Sequence, residues 1–329
     1  VTWKMPTTAI VGANVAYGDI TGKFEVANAA NGYAPVNLRQ FWGKWNFSKE
    51  GQVEVGQDYT PWFYVTSGMC GPAAADCVAI GYGTAYGGRL PQLRLNYMGF
   101  SFALVTPQTA LPPAVIDPAT GSPVSAFPAG TATDVDQTLP RIEASYNGTV
   151  GPVGIWIGGL YNQYKYEYAL AGGSKQDVTL NTWMVGAGGK FAYGPFYFNA
   201  QGSYGRNPGN AGLPANLIPR YMSFDPVNNK SEDAEYWSAQ GVIGFKLSDM
   251  IAFEGGYITQ YGKVKDVSVN SDLEETVGTW YVQATISPAK NFYIIPEVGD
   301  ADFKDLKVAG DNTKLGDLLW FGIKWQINF

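Results

Sequence analysis

The stretch Leu319-Trp-Phe-Gly-Ile-Lys-Trp-Gln-Ile-Asn-Phe329 decides the fold class. Leu319, Phe321, Ile323, Trp325, Ile327 and Phe329 share one parity, and Trp320, Gly322, Lys324, Gln326 and Asn328 the other. Successive side chains of a strand point to opposite faces, so this segment reads as a strand with one apolar and one more polar side. The same alternation recurs upstream. Ile142, Ala144 and Tyr146 alternate with Arg141, Glu143 and Ser145, and Phe196, Phe198 and Ala200 with Tyr197, Asn199 and Gln201. Trp237, Ala239, Ile243 and Phe245 alternate with Ser238, Gln240, Gly244 and Lys246, and Trp280, Val282 and Ala284 with Thr279, Tyr281 and Gln283. Clusters of Gly, Pro, Asn and Asp separate these segments, as expected of strands and turns. No apolar run reaches 18 residues, which excludes a transmembrane helix.

Composition narrows the function. The 329 residues are 46% hydrophobic and 15% aromatic but only 15% charged, below the roughly 25% usual for soluble domains. Histidine is absent, which removes His-based triads, His metal sites and the commonest general base at neutral pH. A net charge of −6 offers no basic stripe for phosphates, so a nucleic-acid partner is not expected.

A β-sandwich and a membrane barrel both produce alternating strands; the connections separate them. Tight turns are read at Lys49-Glu50-Gly51, Met98-Gly99, Asn147 to Gly151, Tyr193 to Pro195, Ser248-Asp249 and Ser287 to Lys290. Between them lie longer polar connections at 27–35, 66–88, 106–138, 169–176, 206–232, 264–274 and 302–315. Strict alternation of short and long is the habit of a transmembrane antiparallel β-barrel, with short periplasmic turns and long extracellular loops. The expectation is one all-β domain over 1–329, of fourteen strands, with sixteen as second choice and both ends on the short-turn side. Charged residues recur on the inner parity; packed dry they would cost several kcal/mol each, whereas a water-filled lumen accommodates them.

Several segments resemble known proteins. The final strand ending in Phe329 resembles the C-terminal signal of bacterial outer-membrane proteins. Leu38-Arg-Gln-Phe-Trp-Gly-Lys-Trp-Asn-Phe47, Gln52-Val-Glu-Val-Gly-Gln-Asp-Tyr-Thr-Pro-Trp62, and Arg94-Leu-Asn-Tyr97 followed by Gly99-Phe-Ser-Phe102 resemble strands of Gram-negative porins. The resemblance implies a multi-pass barrel in the outer membrane, in contact with lipid and lipopolysaccharide and assembled as a homotrimer. It also implies sixteen strands and a third external loop folded inward, with basic residues on the facing wall. The function implied is a channel for passive diffusion of small hydrophilic solutes and ions, not an enzyme. The alternative is a substrate-specific channel for an organic acid or a sugar. Inward Tyr197, Tyr281, Tyr293 and Trp156 would form a sugar-stacking track, or else serve as girdle or lumen fill.

By count, the third long connection is 106–138. It holds Asp117, Asp134 and Asp136, six prolines and no Lys or Arg. It reads either as the inserted constriction loop or as a solvated, proline-rich surface loop. Alternation turns Lys44, Arg94 and Arg141 inward as a basic wall. Arg39 shares the parity of the lipid-facing Phe41, so either a bulge shifts the register or Arg39 snorkels at the rim. Glu54 and Glu143 are pore-lining acids, with Glu254 and Glu297 of the same kind; each either pairs with cross-strand cations or meets solute. Basic and acidic residues facing each other across about 10 Å would set up a transverse field, little screened at that distance. Cys70 and Cys77, seven residues apart in a chain routed through the periplasm, are expected to form a disulfide. No cofactor is expected. Asp300, Asp302 and Asp305 are a weak calcium candidate, lacking the Gly and terminal Glu of a calcium loop.

Overall fold

The computed structural model describes residues 8–29, 36–71, 77–109, 114–116, 123–125, 131–170, 173–266, 271–308 and 311–328. Its main body is an 18-stranded sheet. Three short strands, Ala132–Asp136, Leu306–Val308 and Asp311–Thr313, extend one rim, and the other fifteen make the wall. The wall opens with β1 (Thr8–Tyr17), β2 (Ile20–Ala29), β3 (Asn37–Trp45), β4 (Gly51–Tyr59) and β5 (Arg89–Tyr97). It continues with β6 (Phe100–Val105), β7 (Arg141–Val150), β8 (Val153–Ala169), β9 (Gln176–Tyr193) and β10 (Phe196–Arg206). The last five are β11 (Glu235–Lys246), β12 (Ile251–Asp266), β13 (Ser271–Ala289), β14 (Phe292–Phe303) and β15 (Gly316–Ile327). Each pairs antiparallel with the next in chain order. Among the described residues no ladder joins β1 to β15.

The all-β antiparallel architecture is as expected, but the wall has fifteen described strands rather than fourteen. The difference lies at one turn. Tyr17 pairs with Ile20 across Gly18-Asp19, with Gly18 at φ 57°, where a residue with a side chain is strained. A two-residue Gly-Asp connection is a hairpin signal, and placing the first connection at 27–35 overlooks it. In consequence β1 begins on the long-connection side and β15 ends on the short-turn side. The expected long connection 264–274 is mostly strand, since β12 and β13 leave only 267–270 between them. At 16 and 19 residues these strands exceed the ~9–11 needed to span a membrane and rise beyond it.

Every wall strand turns at least one large apolar side chain outward. On β15 Phe321, Ile323 and Trp325 are exposed, as the final stretch predicts. The inner face is two environments. Along β2 to β5 it is polar and charged. Along β8 to β13 it carries the buried Trp156, Leu160, Met184, Tyr236 and Val277, which pack on chain segments inserted from the long connections. The core of this molecule therefore lies inside the barrel.

Candidate functional site

The charged strip on β3 to β5 follows from strand register. Lys44 stands opposite Glu54, and Glu54 opposite Arg94. Glu54 Oε2 accepts from Lys44 Nζ at 2.9 Å and from Arg94 Nη2 at 2.5 Å. Arg94 also reaches Asp58 at 3.4 Å and donates to the Tyr59 carbonyl at 2.9 Å. Asp58 accepts from Gln40, which in turn accepts from Lys23. Glu54 is buried between its two cations, whereas the Lys44 and Arg94 side chains keep 17% and 14% exposure. Arg39 belongs to this strip. The β2–β3 ladder steps from Glu25–Gln40 to Val26–Leu38, so Arg39 is the extra residue of a bulge. Its Nε donates to Glu25 at 2.7 Å. Of the two readings of Arg39, the bulge is the one realised.

Arg141 and Glu143 are placed differently. Both side chains are fully buried and pair at 2.6 Å, so neither lines open water. What covers them is the connection between β4 and β5, whose described residues 60–71 and 77–88 are here termed the strap. It leaves β4 at Tyr59, runs along the inner wall and returns to β5 at Arg89. Its root is closed by Thr60 N donating to Gly88 O (3.2 Å) and Gly87 N to Trp62 O (2.6 Å). On the way out its backbone N–H groups meet inward glutamates in turn. Trp62 N donates to Glu143 at 2.7 Å, Gly68 N to Glu254 at 2.7 Å, and Cys70 N and Gly71 N to Glu297 at 2.8 Å each. On the way back Gly81 O accepts from Gln260 (2.8 Å), Gly83 O from Ser238 (3.1 Å), and Ala85 N donates to Gln201 (3.3 Å). These partners lie on β7, β10, β11, β12 and β14, so the strap lies along the wall facing the strip. Each carboxylate satisfies N–H groups that burial would otherwise leave unpaired.

A second insert, 207–222, packs beside the strap on the same side. Ile218 N donates to Glu275 at 2.7 Å, and Asn216 N to Gly81 O of the strap at 2.9 Å. Leu213, Ala215 and Leu217 pack with Trp62 and Tyr64 of the strap and Trp156 of the wall. The Tyr64 and Trp156 rings stack at 5.1 Å. Burial pushes the Tyr64 and Tyr82 phenols above the ordinary tyrosine value, so both stay neutral at physiological pH. The inner parity of β8 to β13 is thus covered by inserted chain over much of its height, which leaves only part of the inner wall to line a water-filled lumen. The signal was present: Trp156, Leu160, Tyr164 and Tyr168 repeat at every fourth residue of β8 on its inner parity.

The sequence reads 106–138 either as the inserted constriction loop or as a solvated surface loop. Of that connection, 110–113, 117–122 and 126–130 lie outside the described residues, and Asp117 with them. Asp134 and Asp136 are exposed on the rim strand Ala132–Asp136, which pairs with β8. They extend the wall and do not face the strip. Ala114–Ile116 pairs with Pro123–Ser125, and Ala114 with Ser223 beyond the second insert. Cys70 and Cys77 form the expected disulfide. Asp302 pairs with Lys304, and among the described residues no group of three or more His, Cys, Asp or Glu is placed to hold a metal ion. Asp300, Asp302 and Asp305 therefore do not converge on a cation. Strip residues that sequence reasoning left out are Lys23, Glu25 and Asp58; inner parity on β2 and β4 was the signal for them.

No family model matches the chain, and no curated protein matches it. Solved structures do. The outer membrane channel DcaP of Acinetobacter baumannii is similar over 98% of this chain and 85% of its own, with 18% identity and TM-score 0.67. The trimer form of OmpT, an outer membrane protein of Vibrio cholerae, is similar over 98% and 91%, with 15% identity and TM-score 0.53. An anion-selective porin from Comamonas acidovorans is similar over 98% and 90%, with 10% identity and TM-score 0.52. These likenesses establish the fold: the chain has the β-barrel wall of outer-membrane porins.

Proposed function

We propose that the chain forms a water-filled channel in the bacterial outer membrane, through which small hydrophilic solutes diffuse passively and without chemical change, and that its narrow part favours anions. The observation that carries the reading is an imbalance in which charges reach water. On β2 to β5, Lys23, Arg39, Lys44 and Arg94 keep part of their surface exposed. On the facing wall Glu143, Glu275 and Glu297 are buried and committed to strap or insert N–H groups. Within the strip four cations face the three acids Glu25, Glu54 and Asp58, of which Glu54 is buried, and the far-wall acids are committed elsewhere; in a narrow lumen the remaining positive field is weakly screened. The reversal potential of the protein in a planar bilayer under a KCl gradient tests this. A shift towards the chloride potential is expected; a shift towards potassium rejects anion preference, and the absence of any conductance rejects the channel.

A specific channel for an organic acid is the second reading, favoured by the aromatic group at the strap root. Tyr59 and Phe63 stack at 4.3 Å, Tyr86 meets both edge-on, and the Arg89 guanidinium lies 5.1 Å over Tyr59. Such a group suits a solute with a flat face and a negative charge. Of the aromatics that would make a sugar track, Trp156 and Tyr281 are buried beneath the inserts, which favours the organic acid over the sugar in this reading. Block of ion current by benzoate but not by glucose supports the specific channel, and block by neither leaves the general one. A homotrimer embedded in lipid and lipopolysaccharide belongs to the same proposal; chemical cross-linking in membranes, with a trimer band expected, tests the assembly.

A further inference from the structure

Each cation of the strip is held by a carboxylate, which fixes it and also offsets its charge. One inward cation on the far wall is held differently. Lys190 lies on β9, on the parity of the buried Leu180, Thr182 and Met184, close to the short turn that leads to β10. Its ammonium stands 5.0 Å from the centroid of the Tyr64 ring of the strap. That ring stacks on Trp156 at 5.1 Å and 8°, and it rests over Gly188, where a β-carbon would come within 2.4 Å of it. Lys190 is nevertheless exposed, so water reaches it inside the wall. Among the described residues no carboxylate forms an ion pair with it. We propose that Lys190 is a specificity-determining residue of the passage, drawing small anions to the far wall on the short-turn side of the strap.

The way the ammonium is held gives it weight. A ring face attracts a cation through its quadrupole and carries no net charge, so Tyr64 positions Lys190 without cancelling its charge. Four strip cations against three acids leave one positive charge uncompensated, and Lys190 supplies another. Across a lumen narrower than a Debye length, the two act on the same solute. The ladder neighbours of Lys190 leave it accessible. Asn199 on β10 donates to the Thr66 carbonyl at 2.9 Å. Gly154 on β8 has no side chain, and a β-carbon there would meet nothing nearer than 3.8 Å. An anion approaches the ammonium from that side. Glu254, the inward acid of β12, is occupied by four neutral donors: Gly68 N, the Tyr281 and Tyr197 hydroxyls and the Gln283 amide.

The proposal rests on the channel reading and is tested as a change from wild type, whatever the sign of the wild-type potential. In planar bilayers under a KCl gradient, Lys190→Gln should lower the chloride-to-potassium permeability ratio several-fold. A unit charge acting at about 6 Å through water changes the local concentration of each ion about threefold. Lys190→Arg should keep the wild-type ratio, and Lys190→Glu should lower it further. Gly154→Glu leaves Lys190 in place and sets a carboxylate opposite it in the ladder, so it should reproduce Lys190→Gln, while Gly154→Gln behaves as wild type. An unmoved ratio in folded Lys190→Gln and Gly154→Glu barrels overturns the assignment and leaves the channel reading standing. A wild-type barrel that never conducts rejects the channel reading and the role of Lys190 with it. Access is read without conductance, by treating the folded barrel in detergent with a sulfonated amine-acylating reagent and mapping lysines by mass spectrometry. Acylation of Lys190 is expected; its protection while the turn residues Lys49 and Lys290 react overturns the proposal.

Discussion

Glu54 does on one strand what three far-wall glutamates do for the strap: it fixes hydrogen-bond donors that the fold brings within reach. Its partners are the side chains of Lys44 and Arg94, so it holds two cations at the edge of the passage. Reversing both, Lys44→Glu with Arg94→Glu, should move the reversal potential towards potassium in the planar bilayer; an unmoved potential would place the strip outside the conducting path. At the outer surface, Asp225 is held below the ordinary aspartate value, chiefly by the Asn228 side-chain amide and further by the backbone N–H groups of Asn228 and Val227. A depressed carboxylate stabilises the fold fully above its unfolded value of about 3.9 and loses that contribution as pH falls through its lower folded value. Hydrogen exchange at the Val227 and Asn228 amides should therefore show intact protection near neutrality and local opening only as pH falls below the ordinary aspartate value. At this scale parity puts Lys44, Arg94 and Glu54 on one face, and the ladder sets them side by side. It failed at Arg39, because one bulged residue exchanges the faces of everything beyond it.

Among the elements, the β1–β2 hairpin and the strap depend on sequence in different ways. The hairpin is local: Gly18 at φ 57° meets no neighbour that a β-carbon would strike, so its requirement is backbone conformation alone. Gly18→Val should cost about 1–2 kcal/mol from the left-handed conformation. The loss should appear as weakened amide protection in β1 and β2, with β8 to β13 unchanged; uniform weakening would mean that the hairpin is coupled to the whole wall. The strap depends on partners far away. Its composition, from Thr60 to Gly88, has few charges and many small residues, which marks a loop but not a destination. The destination is fixed by glutamates 81 to 227 positions further along the chain. For that reason counting connections singled out 106–138, much of which lies outside the described residues, and gave no hint that 60–88 lies along the wall.

Across the whole molecule, the wall is held by strand pairing between chain neighbours and the interior by inserted segments. These two systems are separable. Replacing 64–84 with a short Gly-Ser link should leave the β content seen by circular dichroism nearly unchanged and raise channel conductance several-fold; lost β content would show that the strap is needed to form the wall. What the sequence determined by itself is the wall: alternation, turn chemistry and an outward apolar side on every strand follow from residues a few positions apart, through the period of the strand and the solvent on either side. Only the tertiary structure decided what occupies the lumen, which acids are withdrawn from it and where the disulfide comes to rest. Those outcomes depend on contacts between residues far apart in the chain, where a buried carboxylate is stable only if a particular N–H or cation meets it, and no local pattern specifies that meeting.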